Sequence, residues 1–194
     1  MFEAFTAVFH VINLQIVFGS VLLFFIGYAL APTAYYKKIR WLTAYPFWII
    51  KLMDAFFRRK HHALKIFIII FSLNTFSLFV NLLSAWGVIL PYLFMVYMGI
   101  NVGVVIYHSM EGHYYYLGLL NPVAILELPA AWLSIAMAIQ FSLTHFLKIS
   151  ALPYLSFSIY IHYFLQTVIP LLLLAGIIET ILISKTGPAP PPED

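Results

Sequence analysis

Two acids stand inside apolar runs where a membrane-crossing chain has little use for charge. Glu127 lies in NPVAILELPAAWLS (Asn121 to Ser134), two residues before Pro129. At the centre of a spanning helix an acid costs ~3 kcal/mol, so it must face protein or a water-filled pocket rather than acyl chains. Pro129 cannot donate a backbone hydrogen bond, and its ring displaces the carbonyl of Ile125, so acid and backbone defect both need partners. Glu179 is the second acid, at the end of PLLLLAGIIE, which begins at Pro170. Asn74 and Asn101 are amides in two further apolar runs.

Depth brings these four side chains together. Glu127 follows Asn121 by six residues and Glu179 precedes Lys185 by six, which sets each roughly 9 Å below a helix end. With five crossings, the fourth span begins and the fifth ends on the same side. Asn101, seven residues before His108, falls at about 10 Å from that side, and Asn74, nine past Lys65, is somewhat deeper. The faces around them are small: Ala130, Ala131, Ser134 and Ala138 with Glu127, Ala175 and Gly176 with Glu179, Gly99 and Gly103 beside Asn101. Small residues let membrane helices approach closely. Two neighbouring carboxylates cannot both stay charged cheaply, so a shared proton, a cation or a donor cluster is expected between them. Three readings follow: a structural staple around Pro129, a site for a cation, proton or lipid headgroup, or catalysis.

The elements that must hold this layer are five apolar runs, each near the ~20 residues a bilayer requires. They cover 9–31, ended by Ala31-Pro32, then 64–86, 88–107, 122–147 and 154–184. Asn121 is a fitting N-cap with Pro122 at the first helical position, and Pro170 predicts a kink. Residues 33–63 differ. Tyr35, Tyr36, Trp41, Tyr45, Phe47 and Trp48 alternate with Lys37, Lys38, Arg40, Lys51, Arg58, Arg59 and Lys60. This pattern predicts one or two interfacial helices broken near Pro46, with cations toward anionic headgroups and Phe47, Ile50, Leu52, Met53, Phe56 and Phe57 on the apolar side. Because most lysine and arginine lies between 33 and 65, that loop is expected in the cytoplasm.

Leu126-Glu127-Leu128-Pro129-Ala130 resembles the membrane-embedded Glu-Leu-Pro-Ala motif of the stage II sporulation protein M family. The run from Pro170 to Glu179 is similar to that family's last helix, and the likeness extends over roughly 64–184. The family pattern has His-Gly just before the motif; here those positions read Val123-Ala124. The resemblance implies a multi-pass membrane protein, and a founding member that works with cell-wall-degrading partners.

Other groupings are weaker. His108, Glu111 and His113 match neither the His-Glu-x-x-His spacing nor its inverse, and Gly112 places them on a loop, so no metal is expected. Ser158, His162 and Gln166 form a stripe at i, i+4 and i+8 that reads as interhelical bonding or as a solvated half-channel. Gln140, Thr144 and Lys148 make a similar line in the fourth span. The GxxxG of Gly99 to Gly103 reads as close helix packing. No phosphate loop, nucleophile elbow or dinucleotide motif occurs, and no cofactor is expected.

The chain of 194 residues is 63% hydrophobic and 9% charged, against about 25% charged in a soluble domain. Cysteine is absent, which excludes thiol and disulfide chemistry. The expected whole is an all-α, multi-pass transmembrane bundle of about five spans plus an interfacial amphipathic segment. It forms one domain over 1–185, with a disordered proline-rich tail at 186–194. Function is expected to be non-enzymatic, as scaffold or recruiter in the cell membrane. The alternative is a transporter or lipid-handling protein using Glu127 and Glu179. Partners are membrane lipids and a second copy or other envelope membrane proteins, not nucleic acid.

Overall fold

Each apolar run becomes a helix, since only internally bonded backbone is tolerated in hydrocarbon. The structure is a computed structural model that describes residues 8, 10–57 and 62–186. Its helices are α1 (Leu14–Tyr36), α2 (Arg40–Phe57), α3 (Ala63–Leu83), α4 (Leu90–Ser109), α5 (Pro122–His145), α6 (Phe157–Tyr163) and α7 (Ile169–Thr186). A 3₁₀ turn at Ser84–Trp86 extends α3, another at Tyr115–Leu119 precedes α5, and a π turn at Phe164–Val168 joins α6 to α7. Among the described residues there is no strand. Five stretches are long and apolar enough to cross a membrane: Leu14–Tyr36, Ala63–Trp86, Leu90–Ser109, Pro122–His145 and Phe157–Lys185. Arg58, Arg59 and Lys60 of the basic segment, and the tail at 187–194, lie outside the described residues.

The bundle has two packing units. In the first, α1 lies along α4 in the most extensive helix contact of the molecule. Glycine explains the closeness. A Cβ on Gly99 would strike the Phe24 carbonyl, and one on Gly27 would strike the carbonyl of Val96, so the backbones meet directly. The GxxxG of α4 is therefore a helix-packing face. In the second unit α3, α5 and α7 pack on one another. The centre is α5, whose Ala130, Ala131, Ser134, Ala136, Ala138 and Gln140 are all fully buried. Ser134 Oγ donates to the carbonyl of Leu78 on α3 at 2.7 Å.

Two prolines sit differently from the sequence expectation. α1 does not stop at Pro32 but runs on to Tyr36. α2 does not break at Pro46 but passes through it. One lost backbone bond costs less than ending a helix whose flanks are packed: Thr43 and Pro46 are buried, and α2 lies against α4. Trp41, Tyr45, Trp48 and Leu52, at i, i+4, i+7 and i+11, form an exposed stripe suited to the interface. Leu52 and Met53 of the apolar set are exposed, while Phe47 and Ile50 are half-buried. The inward side is Leu42, Thr43, Pro46 and Phe47. At Pro170 the relief is a π turn just before it, with the Ile169 N–H reaching back to the Phe164 carbonyl. Such one-turn bulges absorb helix defects.

The N-terminal end is tied inward. Asn13 caps α1, its side chain accepting from the Gln15 N–H. The backbone just before it is served by Gln140 on α5: Oε1 accepts from the Asn13 N–H at 2.8 Å, and Nε2 donates to the Val11 carbonyl at 2.9 Å. A fully buried amide thus satisfies an irregular turn whose Val8 and Ile12 are buried beside it.

Candidate functional site

Glu127 follows the first turn of α5, which opens as expected: the Asn121 side chain accepts from the Ala124 N–H at 2.8 Å. From there the helix brings Glu127 round to face α3, where Asn74 Nδ2 donates to its Oε1. Glu179 on α7 is close enough for its charge to act on Glu127. All three side chains are half-buried. α7 comes near because Gly176, three residues before Glu179, leaves only van der Waals room against Phe67 and Phe71 of α3. Asn74 and Glu127 thus meet between α3 and α5, and Glu179 on α7 lies near Glu127.

Asn101 does not join them. Gly99 and Gly103 point at α1, and a residue two positions from Gly99 is turned about 200° round the helix. Asn101 accordingly lies beside Tyr97, on the side of α4 that holds Tyr45 of α2 in reach. Its Oδ1 is buried without a hydrogen-bond partner.

The other polar lines separate in the same way. Gln140 and Thr144 are buried, while Lys148 is exposed. Ser158 and His162 face outward, because Tyr160, Phe164, Thr167 and Val168 occupy the inward side of that span. The stripe therefore does not lead inward as a half-channel. His108, Glu111 and His113 lie at the end of α4 and in the loop after it. Among the described residues no group of three His, Asp or Glu is placed to hold a metal.

A second polar junction was not singled out from the sequence. Pro32 has no N–H to give to the carbonyl of Tyr28, four residues back. Tyr115 Oη fills the gap, donating to that carbonyl at 2.5 Å. In return Tyr28 Oη donates to the Tyr115 carbonyl at 2.6 Å. The two rings stack with centroids 4.3 Å apart and 7° between planes. Burial, then the neighbouring Tyr28, pushes the Tyr115 hydroxyl well above the ordinary tyrosine range. The loop reaches this position by an abrupt reversal: Glu111, Gly112 and Tyr114 take φ of 51°, 78° and 51°. A proline four residues after a tyrosine inside a span signals the freed carbonyl; the donor, in a tyrosine-rich loop, has no such signal.

Among the described residues, five apolar helices long enough to cross a bilayer, with Asn74 bonded to Glu127 between two of them, define a multi-pass membrane protein. The family model for Stage II sporulation protein M matches residues 16–182, and the chain belongs to that family. The match takes in α1 and α2 as well as the region around Glu127. No curated protein and no solved structure matches the chain.

Proposed function

We infer that the protein is a non-enzymatic scaffold of the cell membrane that recruits envelope membrane proteins, with the basic segment 33–65 on the cytoplasmic side. The observation that carries this reading is the Asn74–Glu127–Glu179 cluster. Glu127 is already engaged by Asn74, and its helix continues into a wall of fully buried alanines. An acid so placed ties α3 to α5 beside α7 and leaves the outer faces of the bundle for partners. Family membership supports a membrane role without supplying a catalytic set.

The neighbouring carboxylates favour one other reading, a proton or cation site used in transport or lipid handling. Two variants separate them. Glu127→Leu removes the acceptor of Asn74 and is expected to weaken assembly and partner capture in a pull-down, whereas Glu127→Gln keeps an acceptor and retains both. If Glu127→Leu captures partners as the native chain does, the scaffold reading fails. A pH-driven flux in liposomes that disappears in Glu127→Gln/Glu179→Gln would establish transport instead.

A further inference from the structure

Where α1 and α4 reach the membrane surface, an open cleft of about 430 Å³ lies between Tyr35, Tyr36, Tyr107, His108 and Glu111. Its volume falls in the ~300–1,000 Å³ range of small-ligand pockets. The three tyrosine rings are steeply inclined. Tyr35 and Tyr107 have centroids 5.2 Å apart at 51°, Tyr36 and Tyr107 5.4 Å at 71°, and Tyr35 and Tyr36 6.1 Å at 83°. Rings so inclined meet edge to face, so each contact covers at most one side of one ring. Their hydroxyls are linked: Tyr107 Oη donates to Tyr36 Oη, and Tyr35 Oη is 3.1 Å from His108 Nδ1. What the cleft offers a ligand is ring surface, phenol oxygens and the carboxylate of Glu111. Among the described residues no lysine or arginine lines it.

That lining suits a cation and repels an anion, because ring faces carry the negative end of the aromatic quadrupole. Its position specifies the source. Tyr35 and Tyr36 end α1, and Tyr107 and His108 lie in the last turn of α4, which is headgroup depth for two spanning helices. The rim has the complementary sign: Lys37, Lys38 and Arg40, next in the chain after Tyr36, are all exposed. Aromatic rings and an acid beside three exposed cations match a headgroup that carries an amine and a phosphate together. We propose that the cleft seats the ammonium of a zwitterionic phospholipid, of the ethanolamine or choline type, whose phosphate lies against Lys37, Lys38 and Arg40. The assignment is independent of the scaffold reading, since none of its residues belongs to the acidic cluster.

The test uses the full chain in nanodiscs of equal phosphatidylethanolamine and phosphatidylglycerol, and again with phosphatidylcholine in place of the first. Lipids retained after mild detergent extraction are counted by native mass spectrometry. The native chain should retain an amine lipid about fivefold over phosphatidylglycerol, equivalent to about 1 kcal/mol. Tyr107→Leu and Glu111→Gln should bring that ratio to about one, while Tyr107→Phe, which keeps the ring and loses only the hydroxyl, should preserve it. Glu111 is exposed, so its variant decides the matter if Tyr107→Leu does not fold. A ratio near one for the native chain, or one unchanged in Glu111→Gln, overturns the proposal. Choline chloride or ethanolamine that saturates the lipid-stripped protein and expels the lipid would assign the cleft to a soluble amine and overturn the lipid source.

Discussion

Tyr115→Phe removes one oxygen and leaves everything else at the α1–loop junction in place, including the 4.3 Å ring stack and the bond from Tyr28 Oη to the Tyr115 carbonyl. The loss falls on the carbonyl of Tyr28, which Pro32 has already deprived of its helical donor. A buried acceptor left without a partner costs about 1–3 kcal/mol. Taking about 2 kcal/mol, a chain of this size should melt about 4–8 °C lower. Pro32→Ala returns a backbone N–H to the same carbonyl. In that background the hydroxyl is no longer needed, so Tyr115→Phe should cost less by about 1 kcal/mol, a coupling that a double-mutant cycle measures. Unfolding in mixed micelles at rising dodecyl sulfate, followed by aromatic fluorescence, gives the four free energies. Additive effects of the two substitutions, within ~0.3 kcal/mol, would refute the claim that Tyr115 serves the carbonyl freed by Pro32. The same residue predicts a pH dependence. Its hydroxyl is raised above the ordinary value of 10.0 in the folded chain. Its contribution is therefore fully present below about pH 10 and lost as pH climbs above that, where the unfolded tyrosine ionises first. Between about pH 10 and 12 Tyr115→Phe should lose stability less steeply than the native chain.

Gly99→Ala should cost several °C in melting temperature, because its Cβ would meet the backbone of α1 at Phe24 and Tyr28. Gly19→Ala, with nothing within 4 Å of its Cβ, should be neutral or stabilising by up to ~1 kcal/mol; equal effects of the two would contradict the packing described for α1 and α4. Gln140→Leu deprives the Asn13 N–H and the Val11 carbonyl of their partners. Hydrogen exchange over 10–13 should then accelerate roughly tenfold or more, as a cost of about 1.4 kcal/mol or above requires; unchanged protection would show that Gln140 does not hold the segment. A reporter fused after Lys185 should behave as cytoplasmic, and an external signal would reverse the assignment of the basic segment.

The likeness around Glu127 and the order of the spans were legible because both are local. Twenty apolar residues, a cap at Asn121 and a motif of five residues need no knowledge of neighbours. Proline was read too strictly: Pro32 and Pro46 look like helix ends in one dimension, but packing of the flanking turns carries the helices through. Asn101 shows the corresponding limit for polar residues. Its direction round α4 follows from where Gly99 and Gly103 must point, and those glycines are turned toward α1.

By itself, then, the sequence determined that the chain is a helical membrane protein and how many apolar crossings it has, because hydropathy acts along a single helix. Only the tertiary structure decided which of the four polar side chains meet, which carbonyl Tyr115 serves, and that tyrosine rings from α1 and α4 border a common cleft. Those are matters of helix rotation and contact, and each is fixed by steric fit between elements far apart in the chain.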